Sequence, residues 1–198
     1  MPGTVIKLGF RAFHSCINLA EVLLGEGLQI IDDGAFKYCA ALQQVTVPFS
    51  VTKLGHHAFK HCVNLTNVQF NEGLKIIGGA AFEGCVALRR VTIPSSVAKV
   101  EDGTFWGCSN LSIVQFSEGL DIIGKSAFYE CTALQSVILP SSVTKLSAKS
   151  FWYCTNLTEV ILLSGDVLLN QGFLDRGLSG GEGALKTIKD STSWLVPA

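Results

Sequence analysis

Apolar residues return along this chain at a fixed interval. Phenylalanine stands at Phe13, Phe36, Phe59, Phe82, Phe105, Phe128 and Phe151, each 23 residues after the last. Cysteine follows three places later, at Cys16, Cys39, Cys62, Cys85, Cys108, Cys131 and Cys154. Leucine follows three after that, from Leu19 to Leu157, and valine three further on, from Val22 to Val160. Four columns held through seven copies mark a stacked repeat. One unit this short buries its apolar side only against a neighbour. Seven units cover residues 5 to 165.

Within a unit the pattern changes period. In Leu88-Arg89-Arg90-Val91-Thr92-Ile93, Val91 and Ile93 alternate with Thr92, which predicts a strand with the aliphatic pair inward. Pro94 ends it, as do Pro48 and Pro140 in their units, because proline has no N–H for a ladder. A second short extended piece follows, as in Val51-Thr52-Lys53-Leu54. Then Phe59, Cys62 and Leu65 at i, i+3 and i+6 predict a tight helical or 3₁₀ turn with one face inward. Each 23 residues therefore make one coil, and like columns stack about 4.8 Å apart. A 46-residue super-period lies over this. Lys7, Lys53, Lys99 and Lys145 alternate with Ile30, Ile76 and Ile122, and Glu26, Glu72 and Glu118 recur in every second loop. That implies duplication of a two-rung unit, with each lysine stem lying over a neighbouring isoleucine.

The run Leu-x-x-Val-x-Ile-Pro-x-Ser-Val-x-x-Leu-Gly-x-x-Ala-Phe-x-x-Cys resembles the BspA-type leucine-rich repeat family, across residues 5–165. The resemblance implies a right-handed leucine-rich repeat solenoid with a parallel β-sheet. It also implies the company of surface and interaction proteins of bacteria and protists, some of them adhesins. Fold alone does not settle function.

Composition narrows the classes. The chain has 198 residues, 48% of them apolar, 16% charged and 9% aromatic, with a net charge of −1. That is too apolar and too weakly charged for a disordered chain. It is not basic enough for a general nucleic-acid binder. No apolar run reaches the length of a bilayer span, and the N-terminus lacks the apolar stretch of a signal peptide. The chain as it stands reads as cytoplasmic, or as a surface or secreted protein if an N-terminal segment is missing.

Seven cysteines raise the question of disulfides or metal. The 23-residue spacing favours core filling instead. Thiols in single file near the rung spacing sit too far apart for a disulfide and cannot surround zinc. His56, His57 and His61 read as exposed loop histidines, with no third ligand at a suitable spacing. Leu178-Ser179-Gly180-Gly181-Glu182 resembles the signature loop of ATP-binding cassette proteins. No phosphate-cradling Gly-x-x-x-x-Gly-Lys accompanies it, so it reads as a glycine-rich connection. Asn64, Asn110 and Asn156 open Asn-x-Ser/Thr triplets, which read as turn asparagines recurring with the repeat. No catalytic constellation and no cofactor motif stands out.

A solenoid binds along its faces. One row is the outward strand column, Leu23, Thr46, Gln69, Thr92, Gln115, Ile138 and Ile161, with Arg89 and Arg90 beside its centre. The other row follows the phenylalanines: His14, Lys37, Lys60, Glu83, Trp106, Tyr129 and Trp152, with Tyr38, Glu130 and Tyr153 next to it. Its rings either lie flat over the core edge or form an exposed strip. The candidate partner-binding residues are Trp106, Tyr129, Trp152, Tyr153, Arg89 and Arg90, for a protein or glycan partner. The first rung, with Val5, Leu8, Phe13, Leu19 and Val22, has no rung above it and is a place for end-to-end stacking. The solenoid is expected over residues 1–165 and a cap over 166–198, with a short helix at Asp166–Gly177 and a degenerate last strand at Leu185–Ile188. The expected role is a non-catalytic binding scaffold. Cell-surface adhesion, or recognition within a longer enzyme or signalling protein, is the alternative.

Overall fold

The structure is a computed structural model that describes residues 2–163 and the strand Thr187–Asp190. It is a parallel β-solenoid in which each rung after the first contributes strands to two walls, with a turn segment between them. The first wall is a seven-stranded sheet of two-residue strands. These are β1 (Lys7–Leu8), β2 (Ile30–Ile31), β4 (Lys53–Leu54), β6 (Ile76–Ile77), β8 (Lys99–Val100), β10 (Ile122–Ile123) and β12 (Lys145–Leu146), in that spatial order. The register sets Lys7 against Ile30, Ile30 against Lys53, and Ile122 between Lys99 and Lys145, so the alternating lysine and isoleucine columns are cross-strand neighbours.

The second wall carries the longer strands. The first four, β3 (Gln44–Thr46), β5 (Asn67–Gln69), β7 (Arg90–Ile93) and β9 (Ile113–Phe116), form one sheet. A second sheet joins β11 (Ser136–Leu139), β13 (Glu159–Leu162) and β14 (Thr187–Asp190). The single ladder expected on this wall is therefore interrupted between β9 and β11. Val91 and Ile93 point inward and Thr92 outward, as the alternation predicts. In the outward column Leu23 and Ile138 are exposed, but Ile161 is buried. β14 pairs in parallel with β13, placing Ile188 beside Val160. It begins two residues after the start expected for the last strand. The segment Asp166–Gly177 and the Leu178–Glu182 loop lie outside the described residues.

The turn segment departs from a helix. Its amides alternate between two partners. Phe36 N donates to Ala58 O on the next rung at 2.7 Å, and Cys39 N closes a local turn on Phe36 O at 3.1 Å. Two residues per rung, four apart, have positive φ. One column runs Arg11, Gly34, His57, Ala80, Gly103, Ser126 and Lys149, and the other Ser15, Tyr38, His61, Gly84, Gly107, Glu130 and Tyr153. A left-handed residue costs a non-glycine side chain roughly 1–2 kcal/mol. Hydrogen bonds hold these residues there. Tyr38 N donates to Lys60 O at 2.8 Å and His61 N to Glu83 O at 2.7 Å, and the same link recurs along both columns. A 3₁₀ run would turn those amides back on their own rung.

The core is the column stack itself. Phenylalanine rings from Phe13 to Phe151 lie nearly parallel, with centroids of neighbouring rungs 5.1 to 5.5 Å apart. Six of the seven cysteines are buried and Cys16 is half-buried, and all seven are free thiols. Each buried thiol also makes a contact that spacing did not reveal. Cys62 donates its S–H to the Phe36 carbonyl at 3.1 Å, Cys85 to Phe59 at 3.1 Å and Cys108 to Phe82 at 3.2 Å. A cysteine thus fills apolar volume and ties its rung to the carbonyl of the rung before it.

The two-rung super-period has a physical cause in the loops. Gly73 and Gly119 pack against the backbone of the preceding Pro-x-Ser loop. A Cβ on Gly119 would lie 2.6 Å from Ser95 O, and one on Gly73 would collide with Phe49 O. The glutamate beside each glycine reaches forward. Glu72 accepts from Ser95 Oγ at 2.7 Å, and Glu118 accepts from the Ser141 and Ser142 amides at 3.0 and 3.1 Å. The last serine of each Pro-x-Ser loop returns a bond, with Ser96 Oγ donating to Leu74 O at 2.6 Å and Ser142 Oγ to Leu120 O at 2.7 Å. Odd and even loops are complementary parts.

Candidate functional site

The left-handed columns decide what the turn face displays. Phe and Cys point inward, and the two residues between them in each rung, the second of them left-handed, are turned outward. Along the rod these form two adjacent rows, one from His14 to Trp152 and one from Ser15 to Tyr153. The N-terminal half of the face is basic and imidazole-rich. Tyr38 stacks on His61 at 5.2 Å and meets His14 edge-on at 5.6 Å, with Lys37 Nζ 5.0 Å from the Tyr38 ring. Lys60 pairs with Glu83 at 2.7 Å. Burial, and then Lys60, hold the His57 and His61 imidazoles below the usual histidine range.

The C-terminal half is aromatic. Trp106 is 41% exposed and Tyr153 44% exposed, while Tyr129 and Trp152 are half-buried. Trp106 and Tyr129 have centroids 4.8 Å apart at an interplanar angle of 50°. Tyr129 then meets Tyr153 at 5.4 Å, and Tyr153 meets Trp152 at 6.2 Å, both edge-on. The strip therefore bends through Tyr153 and does not run straight from Tyr129 to Trp152. Lys149 Nζ lies 5.2 Å from the Trp152 ring. Burial and the neighbouring Glu130 charge raise the Tyr129 phenol above its ordinary value.

Beside Trp106 the second row has no side chains of its own. Gly84 and Gly107 stand where other rungs carry Tyr38, His61 or Tyr153. The His61 ring reaches over Gly84, whereas a Cβ on Gly107 would meet only the Gly84 backbone, at 3.9 Å. The backbone is therefore open at Gly107, and the exposed Glu130 takes the same place in the next rung. Sequence columns revealed the aromatic row beside it. The missing side chains leave no column of their own in the sequence pattern.

Arg89 and Arg90 belong elsewhere. Both are exposed, at the start of β7 on the long-strand wall, where Arg90 sits between Asn67 and Ile113 in register. The structure does not bring them to the aromatic strip. That wall has its own shallow depression of about 530 Å³ where β9 and β11 part, lined in part by Thr92, Gln115, Phe116, Ser136 and Ile138. His56 and His57 are exposed and His61 half-buried. The His56 ring accepts the Gly79 amide at 3.1 Å. Among the described residues no three acidic, histidine or cysteine side chains converge as metal ligands would. Asn64, Asn110 and Asn156 are all exposed. The hydroxyls two places on bind the preceding rung, Thr66 Oγ1 to Gln43 O at 3.1 Å and Ser112 Oγ to Arg89 O at 3.3 Å.

Comparison with known proteins agrees with this geometry. Residues 1–112 and 29–158 match the model of the BspA type leucine rich repeat region, in six copies. A leucine-rich repeat protein from Eubacterium ventriosum has a similar structure, with a TM-score of 0.73 and 28% identity over 77% of this chain and 41% of its own. A leucine rich cell surface protein from Faecalibacterium prausnitzii superposes with a TM-score of 0.66 at 29% identity, over 80% of this chain and 43% of its own. A leucine-rich repeat protein from Bacteroides ovatus shares the fold at 20% identity, with a TM-score of 0.59 over 96% of this chain and 61% of its own. The chain thus spans less than two thirds of each of these relatives. No curated protein matches it significantly.

Proposed function

This chain belongs to the BspA-type leucine-rich repeat family, and from that premise we propose that it is a non-catalytic interaction scaffold. It takes a protein or glycan partner on the outward turn face, at Trp106, Tyr129, Trp152 and Tyr153. The observation that carries this reading is a continuous run of large aromatic rings on one face of the solenoid, Trp106 and Tyr153 exposed and Tyr129 and Trp152 half-buried between them. Such rings bring contact area at little entropic cost, and they dominate binding where they cluster. Arg89 and Arg90 flank a separate surface and serve a second contact, if the partner is long enough to reach the long-strand wall.

A surface setting is the favoured context, because one structural relative is described as a cell surface protein. Among the described residues no helix is long and apolar enough to cross a membrane. The test is partner capture by the Trp106→Ala, Tyr129→Ala, Trp152→Ala variant. Folding measured by circular dichroism should remain near that of the parent, and capture should be lost. Capture that persists at parental strength removes the strip from consideration.

A further inference from the structure

We propose that the first rung is a dimerisation face, on which a second copy of this chain seats head to head with its own first rung. This face lies at the opposite end of the described rod from the aromatic strip. Three observations carry it.

The first is composition. Four of the five most exposed large apolar side chains among the described residues belong to this rung: Ile6 at 58%, Phe10 at 66%, Ile17 at 58% and Leu23 at 82%. Three of them break the outward columns of the rod. Ile6 stands where later rungs carry Gln29, Thr52 and Lys75, and Phe10 where they carry Asp33, His56 and Asp102. Leu23 stands where they carry Thr46, Gln69 and Thr92. Ile17 shares its column with Val63 and Val86. These columns face outward, so the apolar residues there are not core that has lost a cover. Apolar side chains gathered in this way mark a surface that another molecule covers.

The second is placement, and it identifies the occupant. Ile6 and Phe10 flank β1 on the short-strand wall, Ile17 follows the turn segment, and Leu23 stands at the position of the long-strand wall. They ring the rung instead of lining one flank. Inside the ring lie the half-buried Val5, Phe13, Leu19 and Val22. A partner that grips one side of the rod leaves most of the ring uncovered, whereas an end-on partner of the same outline covers it all. Every later rung offers polar residues at the Ile6 or Phe10 position, so the rung that matches a first rung is another first rung. A two-fold axis turns one outline over onto the other. Because the rim is apolar on each side, apolar still meets apolar after that turn.

The third is size and charge. One rung has 23 residues, within the roughly 20–30 a side of a standard stable interface. Interfaces between identical subunits are also the more apolar class. Charge at the rim does not oppose the contact. Asp32 holds Lys7 at 2.7 Å, Arg11 lies over the Phe10 ring at 4.9 Å, and the exposed Glu21 brings the opposite sign.

The experiment is sedimentation equilibrium of the full chain from about 1 to about 100 μM. The parent should fit a monomer–dimer equilibrium and grow no further. The rim variant Ile6→Thr, Phe10→Asp, Leu23→Gln takes each new residue from the same column of other rungs, so the coil already accommodates them. It should weaken the dimer at least about tenfold and keep the parental far-ultraviolet circular dichroism. The unfolding midpoint should rise with concentration in the parent and stay fixed in the variant. Trp106→Ala should leave the dimer unchanged. A parent that is monomeric at about 100 μM overturns the proposal and leaves the end to a different occupant. A dimer that ignores the rim variant, or that is lost in Trp106→Ala, overturns it as well. Assembly that continues past the dimer refutes the head-to-head contact, since only a head-to-tail one propagates. Should the triple variant lose its fold, Leu23→Gln alone decides, and an unchanged dissociation constant there overturns the proposal. Partner capture by the aromatic strip is measured separately, so either reading can fail without the other.

Discussion

Alkali should unfold this rod, and the thiol ladder sets how steeply. Cys39, Cys62, Cys85, Cys108 and Cys131 have no measurable solvent exposure. Burial pushes the Cys39 thiol up to about 11 and drives the other four upward as well. The folded-state pKa lies above the unfolded one. The stability from these groups is therefore complete below the unfolded thiol value, near 8.5, and is lost as pH rises toward the folded value. At pH 10 each unfolded thiol has gained about 2 kcal/mol by ionising, and five together gain roughly 10 kcal/mol. That rivals the whole stability of an ordinary domain, about 5–15 kcal/mol. Urea midpoints followed by far-ultraviolet circular dichroism between pH 7 and pH 10, with reductant present, should fall sharply above pH 9. Five thiols correspond to about 7 kcal/mol per pH unit. A Cys85→Ala, Cys108→Ala double variant should lose about two-fifths of that slope. A slope no steeper than one thiol provides, or one unchanged in the double variant, would refute the argument.

Other outcomes follow from the same packing. Ellman's reagent should label Cys16 alone in the native protein at pH 7.5 and all seven cysteines in denaturant, since only Cys16 is half-exposed. Phe82 stacks between Phe59 and Phe105, so Phe82→Ala should cost about 3–5 kcal/mol in urea denaturation. Phe13 stacks on Phe36 at the first rung and is half-buried, so Phe13→Ala should cost clearly less. Gly73→Ala should destabilise by more than about 2 kcal/mol, because its Cβ meets the Phe49 backbone carbonyl and no flexible side chain can yield. Gly107→Ala should be much milder, since only the left-handed backbone opposes it.

The columns of Phe, Cys, Leu and Val made the stack legible, because burial leaves one residue type at a fixed interval. Columns set by backbone were not legible. The left-handed positions hold Arg11, His57, Ala80 and Lys149 as well as Gly34 and Gly103, so residue preference marks them only in part. Inter-rung hydrogen bonds impose the conformation there. The turn therefore reads as helical or 3₁₀ from its i, i+3 apolar spacing; the i, i+3 bonds are there, but its amides divide between two rungs. The aromatic strip was legible as a column but not as a path. Tyr153, one place out of the column, takes the position that spacing gave to Trp152. The interruption between β9 and β11 left no mark in the pattern, since Val114 and Val137 hold their places regardless.

The complementary loops also bear on how such a rod changes length. Excising 23 residues would set one Glu-Gly loop directly on another, or one Pro-x-Ser loop on another. The carboxylate would then lose its serine amides and the glycine would lose the carbonyl it was kept small to admit. Excising 46 residues restores every pairing: the Glu72 loop could be followed by Pro140, Ser141 and Ser142 with the same contacts that Glu118 makes now. Growth and loss in this lineage should therefore come in quanta of two coils, with alleles differing by an even number.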